Sequence, residues 1–113
     1  MNQYILKGKE AVACGDIKEW GEWFGKADRK VARETVDGVE VSTVFLGLDH
    51  SFGDGPPLLF ETMVFGGEMD GDQDRCTTWE QAEEMHRAMV ARVKGHNATG
   101  NGLAATNQTK ETE

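Results

Sequence analysis

The chain of 113 residues fits one domain with one modest core, and its hydrophobic fraction of 38%, with three Trp and five Phe, excludes a disordered-protein composition. A formal charge of −8 disfavours a nucleic-acid role, because neutralising phosphates with Lys and Arg is what drives affinity for a phosphate backbone. No apolar run approaches the length of about eighteen residues that a spanning helix needs, and the start MNQYILKGKE lacks an export pattern, so a cytoplasmic protein is expected. Cys14 and Cys76 are accordingly expected as reduced thiols.

Tyr4 to Leu6 and Ala11 to Ala13 read as two short strands around the turn KGKE. Asp16 then starts a helix, since an N-cap carboxylate with Glu19 three residues on can satisfy free backbone donors of the first turn. Ile17, Trp20, Phe24 and Ala27 recur at spacings of three and four, with Trp23 beside them, so one aromatic face is expected to lie on a sheet. Gly21 and Gly25 weaken this helix in isolation, and it must rely on that docking.

Asp37-Gly38 can take the positive dihedrals of a two-residue hairpin turn between β-branched segments. The turn pairs Val36 with Val39 and Glu34 with Val41, and puts Arg33, Thr35, Glu40 and Ser42 on one partly wet surface, with Arg33 in diagonal reach of Glu40. Val44 to Leu48 and Leu58 to Phe65 are apolar on both faces apart from Glu61 and Thr62, the pattern of central strands. Thr77 or Thr78 caps a second helix whose stripe is Trp79, Ala82, His86, Met89 and Val93, with Met85 alongside and Gly95 as the stop. Residues 1–95 are thus expected to form a single α+β domain, an antiparallel sheet of about four to five strands with two helices packed on one face. Residues 96–113 read as a flexible polar tail.

The run DGDQD at 70–74 places Asp70, Asp72 and Asp74 at the first, third and fifth ligand positions of a calcium loop. The sixth position wants Gly and is Arg75; the twelfth wants a bidentate Glu and is Gln81. An exposed acidic turn favouring the next helix N-terminus is expected instead. No metal and no cofactor is expected, since no nucleophile elbow, Walker loop, dinucleotide fingerprint or paired metal-binding histidines appear.

Asp49-His50 sits where a strand enters a long loop and Glu61 interrupts an apolar strand, so a small hydrolase using Asp49, His50 and Glu61 is one candidate. If the loop is spanned symmetrically, Glu61 lies opposite Phe45, several residues from Asp49, and a Glu in such a strand more often pairs with Lys or Arg than catalyses. His86 on the apolar stripe is expected as a hydrogen-bonded core histidine. Phe52, Pro56 and Pro57 lie on a Gly-rich loop, where an aromatic either plugs the sheet edge or is offered to a partner. Arg29, Lys30 and Arg33, with Lys26, form a basic run, either a solvated face or a receiver for one anionic ligand or acidic patch.

The run VSTVFLGLDHSFGDGPPLLFETMVFGG, with EWGEWFGKADRKVA before it and TTWEQAEEMHRAMV after it, resembles a group of small phage and prophage proteins without an assigned activity, over residues 4–94. The resemblance implies a viral protein in the cytoplasm of an infected bacterium and supplies no catalytic residues. The expected function is a non-catalytic phage accessory protein that binds a host component, in host takeover or anti-defence, through Asp49, His50, Phe52, Pro56 and Pro57 and the adjacent sheet edge. One form of it is a sponge for a small nucleotide-like ligand, with Arg29, Lys30 or Arg33 on a phosphate and Phe52 on a base. A small hydrolase and a minor virion structural protein are the alternatives. The expected partner is a host protein or small anionic ligand, with no membrane, and short exposed N-terminal strands suit a homo-oligomer.

Overall fold

The structure, a computed structural model, describes residues 2–100, with side chains through residue 96. In chain order the elements are β1 (Tyr4–Lys7), β2 (Glu10–Ala13), α1 (Ile17–Lys26), β3 (Lys30–Val36), β4 (Val39–Phe45), β5 (Phe60–Phe65), β6 (Gln73–Cys76) and α2 (Trp79–Gly100). The protein is α+β, with a four-stranded antiparallel sheet in the order β3-β4-β5-β6 and a separate two-stranded sheet of β1 and β2.

The hairpin turn sets the register of the larger sheet. Asp37 and Gly38 take φ of 50° and 81°, dihedrals that match the twist of the strands they join. Val36 faces Val39, Glu34 faces Val41, and Arg33 reaches Glu40 at 3.0 Å, as the turn predicts. From this register Val39, Val41, Thr43 and Phe45 point to one face, together with Phe60, Thr62 and Val64 of β5, and all are buried.

α2 covers that face and touches all four strands. Met89, Val90 and Val93 pack on Val39, Val41 and Val64, while Ala82 packs with Phe45, Leu59 and Phe60. Each large side chain closed off in this way contributes about 1.5–3 kcal/mol. At the head of the helix the expected cap forms: Thr78 Oγ1 accepts from the Gln81 amide at 3.1 Å, and Gln81 Oε1 accepts from the amides of Thr77 and Thr78 at 3.0 and 3.1 Å.

α1 is capped by Asp16, whose carboxylate accepts from the amides of Lys18 and Glu19. Its stripe begins one turn later than the spacing predicts, since Ile17 is 63% exposed. Trp20 stacks on Phe24 at 4.6 Å, and Trp23 sets its ring edge against Phe45 at 5.8 Å. Trp20 Nε1 donates to both Tyr4 O (3.0 Å) and Gly47 O (3.1 Å), tying the helix to the first hairpin and to the segment after β4.

The extent and grouping of the elements also depart from the sequence-based expectation. The strands do not form one sheet: β4 ends at Phe45, and Gly47, at φ 80°, turns the chain so that its carbonyl meets the Tyr4 amide at 2.8 Å and Leu48 bridges Gln3. β6 occupies part of the stretch read as an acidic turn; as an exposed edge strand it carries no apolar alternation. α2 runs past Gly95 to Gly100, so the first residues of the expected tail are helical, and residues 101–113 lie outside the described residues.

Candidate functional site

The loop between β4 and β5 is braced at its neck. Asp49 Oδ1 accepts from the amides of Ser51 (2.8 Å) and Leu58 (3.0 Å), while the His50 amide donates to Leu58 O (3.1 Å) and the Asp49 amide to Asn2 O (3.0 Å). Chain entry and chain exit therefore meet at the Asp49 carboxylate, and the backbone amide of the same residue holds the N-terminal segment at Asn2. The Ser51 amide, then the Ser51 hydroxyl and the Leu58 amide, hold the Asp49 carboxyl below its ordinary value of 3.8, against a smaller opposing effect of burial, and nearby His50 adds to the lowering. Beyond the neck, Gly53 takes φ 80°, residues 52–56 are exposed, and the Phe52 ring is 97% exposed.

Because folding lowers its pKa, the Asp49 brace is fully present above the unfolded-state value and is lost as pH falls through the folded one. Asp49→Ala is expected to raise the amide exchange rates of Ser51 and Leu58 while leaving β4 and β5 protected. Lowering the pH below the ordinary carboxylate range should reduce their protection, measured against intrinsic exchange at the same pH, in the wild type. Hydrogen exchange followed residue by residue checks both.

The other predicted site residues go to separate partners. Glu61 lies opposite Val44, one residue out of step with a symmetric loop, and its carboxylate is held by Arg75 at 3.0 Å. It stands on the sheet face away from α2, so the brace at Asp49 and His50 and the Glu61–Arg75 pair are distinct arrangements. Arg29 donates to Phe45 O at 2.9 Å and lies over the Phe24 ring at 4.1 Å, Lys30 is exposed at the start of β3, and Arg33 pairs with Glu40. The two arginines of the basic run are thus committed to internal contacts. The acidic segment is likewise divided: Asp70 accepts from the Gly66 amide at 2.7 Å, Glu68 meets His96 at 2.9 Å, and Asp74 meets Arg92 at 3.3 Å. Cys76 is pushed up to about 11, mainly by burial, which keeps it a protonated thiol near neutral pH and a weak nucleophile.

A polar chain that the sequence reading did not assemble crosses the core. Thr62 Oγ1 lies 2.6 Å from Thr43 Oγ1, Thr43 Oγ1 lies 2.7 Å from His86 Nδ1, and His86 Nε2 lies 3.1 Å from Glu34 Oε1. A carboxylate can only accept, so Nε2 donates to Glu34; on a neutral ring Nδ1 then accepts from Thr43, and Thr43 in turn accepts from Thr62. Hydroxyl, imidazole and carboxylate in this order resemble a nucleophile, its base and an orienting group. Thr43 and Thr62 are nevertheless fully buried and His86 is 3% exposed, so no substrate reaches the hydroxyl. The chain sits between the two apolar clusters and spans β3, β4, β5 and α2, which makes it a device for alignment. Its parts were each readable: Glu34 pairs with Val41 and so faces the core, Thr43 follows on the same face, and His86 lies on the helical stripe.

Comparison of the chain with protein-family models, with curated proteins and with solved structures gives no match. The site therefore has to be interpreted from its own geometry.

Proposed function

We propose that this chain is a non-catalytic accessory protein of phage or prophage origin that binds a component of the bacterial host in its cytoplasm, in host takeover or anti-defence. The contact surface is the Asp49–Pro57 loop and the sheet edge beside it. Phe52 carries this reading. It is 97% exposed on a loop whose neck is braced by Asp49, so the ring is presented from a defined base. An exposed Phe forgoes the roughly 1.5–3 kcal/mol that burial would yield, and a partner surface recovers it. Pro56 and Pro57 limit the conformations of the segment that leaves the loop, which lowers the entropy lost on docking.

The phage origin rests on the resemblance of the segments at residues 19–32, 41–67 and 77–90 to small phage proteins. Among the described residues no helix is long and apolar enough to cross a membrane, which fits this setting without requiring it. Both helices are taken to lie on one face of the larger sheet. Trp23 of α1 and Ala82 of α2 reach the same cluster around Phe45 and Phe60, which supports that arrangement. Pairing of two copies through the short N-terminal strands belongs to the same proposal.

The test compares Phe52→Ala with His50→Ala in capture of a partner from host extract. Phe52→Ala is expected to weaken capture by about thirtyfold at unchanged melting temperature, the effect of removing an aromatic hot spot, and His50→Ala by a few-fold at most. Equal capture by wild type and Phe52→Ala overturns the proposal.

A further inference from the structure

Away from the Phe52 tip, a cleft of about 520 Å³ opens between the β1–β2 hairpin, the head of α2 and the chain at Pro57. Its lining combines aromatic rings from Tyr4 and Trp79, apolar carbon from Leu59, and the ammonium groups of Lys7 and Lys9. The size lies within the range of small-molecule sites, and a mostly apolar lining with a few charged groups is their usual composition.

The charged groups here differ from those of the basic run. Arg29 is hydrogen-bonded to the Phe45 carbonyl and Arg33 forms a surface pair with Glu40, whereas neither Lys7 nor Lys9 makes an ion pair among the described residues. Lys9 Nζ instead lies 5.7 Å from the centroid of the Trp79 ring, so a cation already rests over this indole. Trp79 Nε1 is closed off from solvent and meets no acceptor in the protein. Glu10, opposite Lys7 in the hairpin, and Glu80, in the first turn of α2, also line the cleft. Carboxylates only accept, so a ligand held between these groups must carry donors as well as a negative charge and a flat ring.

We propose that this cleft binds a nucleoside monophosphate. The base lies against Trp79, the phosphate is met by Lys7 and Lys9, and the sugar hydroxyls donate to Glu10 or Glu80. On binding, Lys9 leaves the indole face for the phosphate, and the base takes its place as the partner of the ring. The positive end of the long helix that starts at Trp79 adds to the attraction for the phosphate. The proposal rests on the binding role given above in that no chemistry on the ligand is implied. It uses none of the loop-tip residues, so the two can fail separately.

The experiment is a calorimetric titration of AMP into the full chain, repeated with adenosine and with inorganic phosphate, alongside nuclear magnetic resonance of the three indole N–H signals. AMP is expected to saturate with a dissociation constant below about 1 mM, and adenosine and phosphate to bind about tenfold more weakly or worse. The Trp79 signal, assigned with Trp79→Phe, should move, and those of Trp20 and Trp23 should not. The double variant Lys7→Ala/Lys9→Ala, at two exposed positions, should weaken AMP by about tenfold at an unchanged melting temperature. Phe52→Ala should leave AMP binding unchanged. Absence of saturation at millimolar AMP, phosphate binding as well as AMP, or equal binding by the double lysine variant overturns the proposal. Each of these outcomes leaves the partner contact of Phe52 to be judged by its own assay.

Discussion

Replacing His86 with Leu lowers the unfolding free energy by roughly 2–4 kcal/mol, and most of that loss is expected to return when Thr43 and Thr62 become Val in the same chain. His86 Nδ1 is the acceptor for a hydroxyl that has no contact with water, because Thr43 is fully buried. Removing the ring leaves that hydroxyl, and the Thr62 hydroxyl behind it, in an apolar layer with its donor unpaired, and an orphaned buried donor costs about 1–3 kcal/mol. The remainder comes from fitting a branched side chain into the space of a flat ring. When all three positions are apolar, no polar group is stranded, and the layer becomes continuous with the clusters on either side of it. Thr43→Val alone strands the His86 nitrogen, so its cost in the wild-type background should exceed its cost beside His86→Leu by more than about 1 kcal/mol. Urea unfolding of the four chains of this cycle measures that coupling. Strict additivity of the two single changes would mean that the hydroxyl and the ring do not act as a bonded pair.

The same chain bears on how the sheet chooses its register. Apolar residues alone would tolerate a slip of α2 along the sheet, since Val, Met and Ala surfaces present similar shapes. A histidine that must meet Thr43 on one side and Glu34 on the other admits one alignment of α2 against β3 and β4. A cost in stability relative to an all-apolar layer is therefore compatible with a gain in uniqueness.

Local chemistry was legible where it acts over a few residues. Asp37-Gly38 specifies its turn by the positive φ it tolerates and with it the pairing of Val36 with Val39 and Glu34 with Val41, and Asp16 and Thr78 with Gln81 specify two helix starts. Non-local arrangement was not legible. β6 pairs its whole length with β5 yet has no buried residue, so nothing in its composition distinguishes it from a turn. Gly95 sits in the continuing helix because one internal glycine costs only about 1 kcal/mol, too little to end it. The loop at Asp49 to Pro57 was readable from its Gly and Pro content, but its brace at Leu58 and Asn2 depends on chain ends brought together by the fold. The cleft draws on residues 4–11, 57–59 and 77–80, three segments that no local pattern connects.

Gly47→Ala is expected to destabilise the protein by roughly 2–4 kcal/mol, from two sources that a second variant separates. The first is backbone strain: at φ 80° an L side chain is disfavoured by about 1–2 kcal/mol. Gly53 has the same φ of 80° and nothing within 4 Å of an added Cβ, so Gly53→Ala carries that strain alone. The second is a clash, since a Cβ at Gly47 falls 2.9 Å from Phe24 Cε1 and 3.1 Å from Cδ1, too close for the ring to keep its place. Phe24 is held by the stacked Trp20 ring on one contact and by the Arg29 guanidinium on another. Shifting it disturbs the indole whose N–H joins Tyr4 to Gly47, and with it the anchoring of β1. Gly47→Ala should thus lower the urea midpoint well beyond Gly53→Ala. Because the Asn2 carbonyl braces the Asp49 amide, it should also raise hydrogen exchange at the loop neck, which Gly53→Ala leaves unchanged. Equal midpoints for the two variants would show that Phe24 yields without cost, and that α1 is not the element that fixes the first hairpin against the segment after β4.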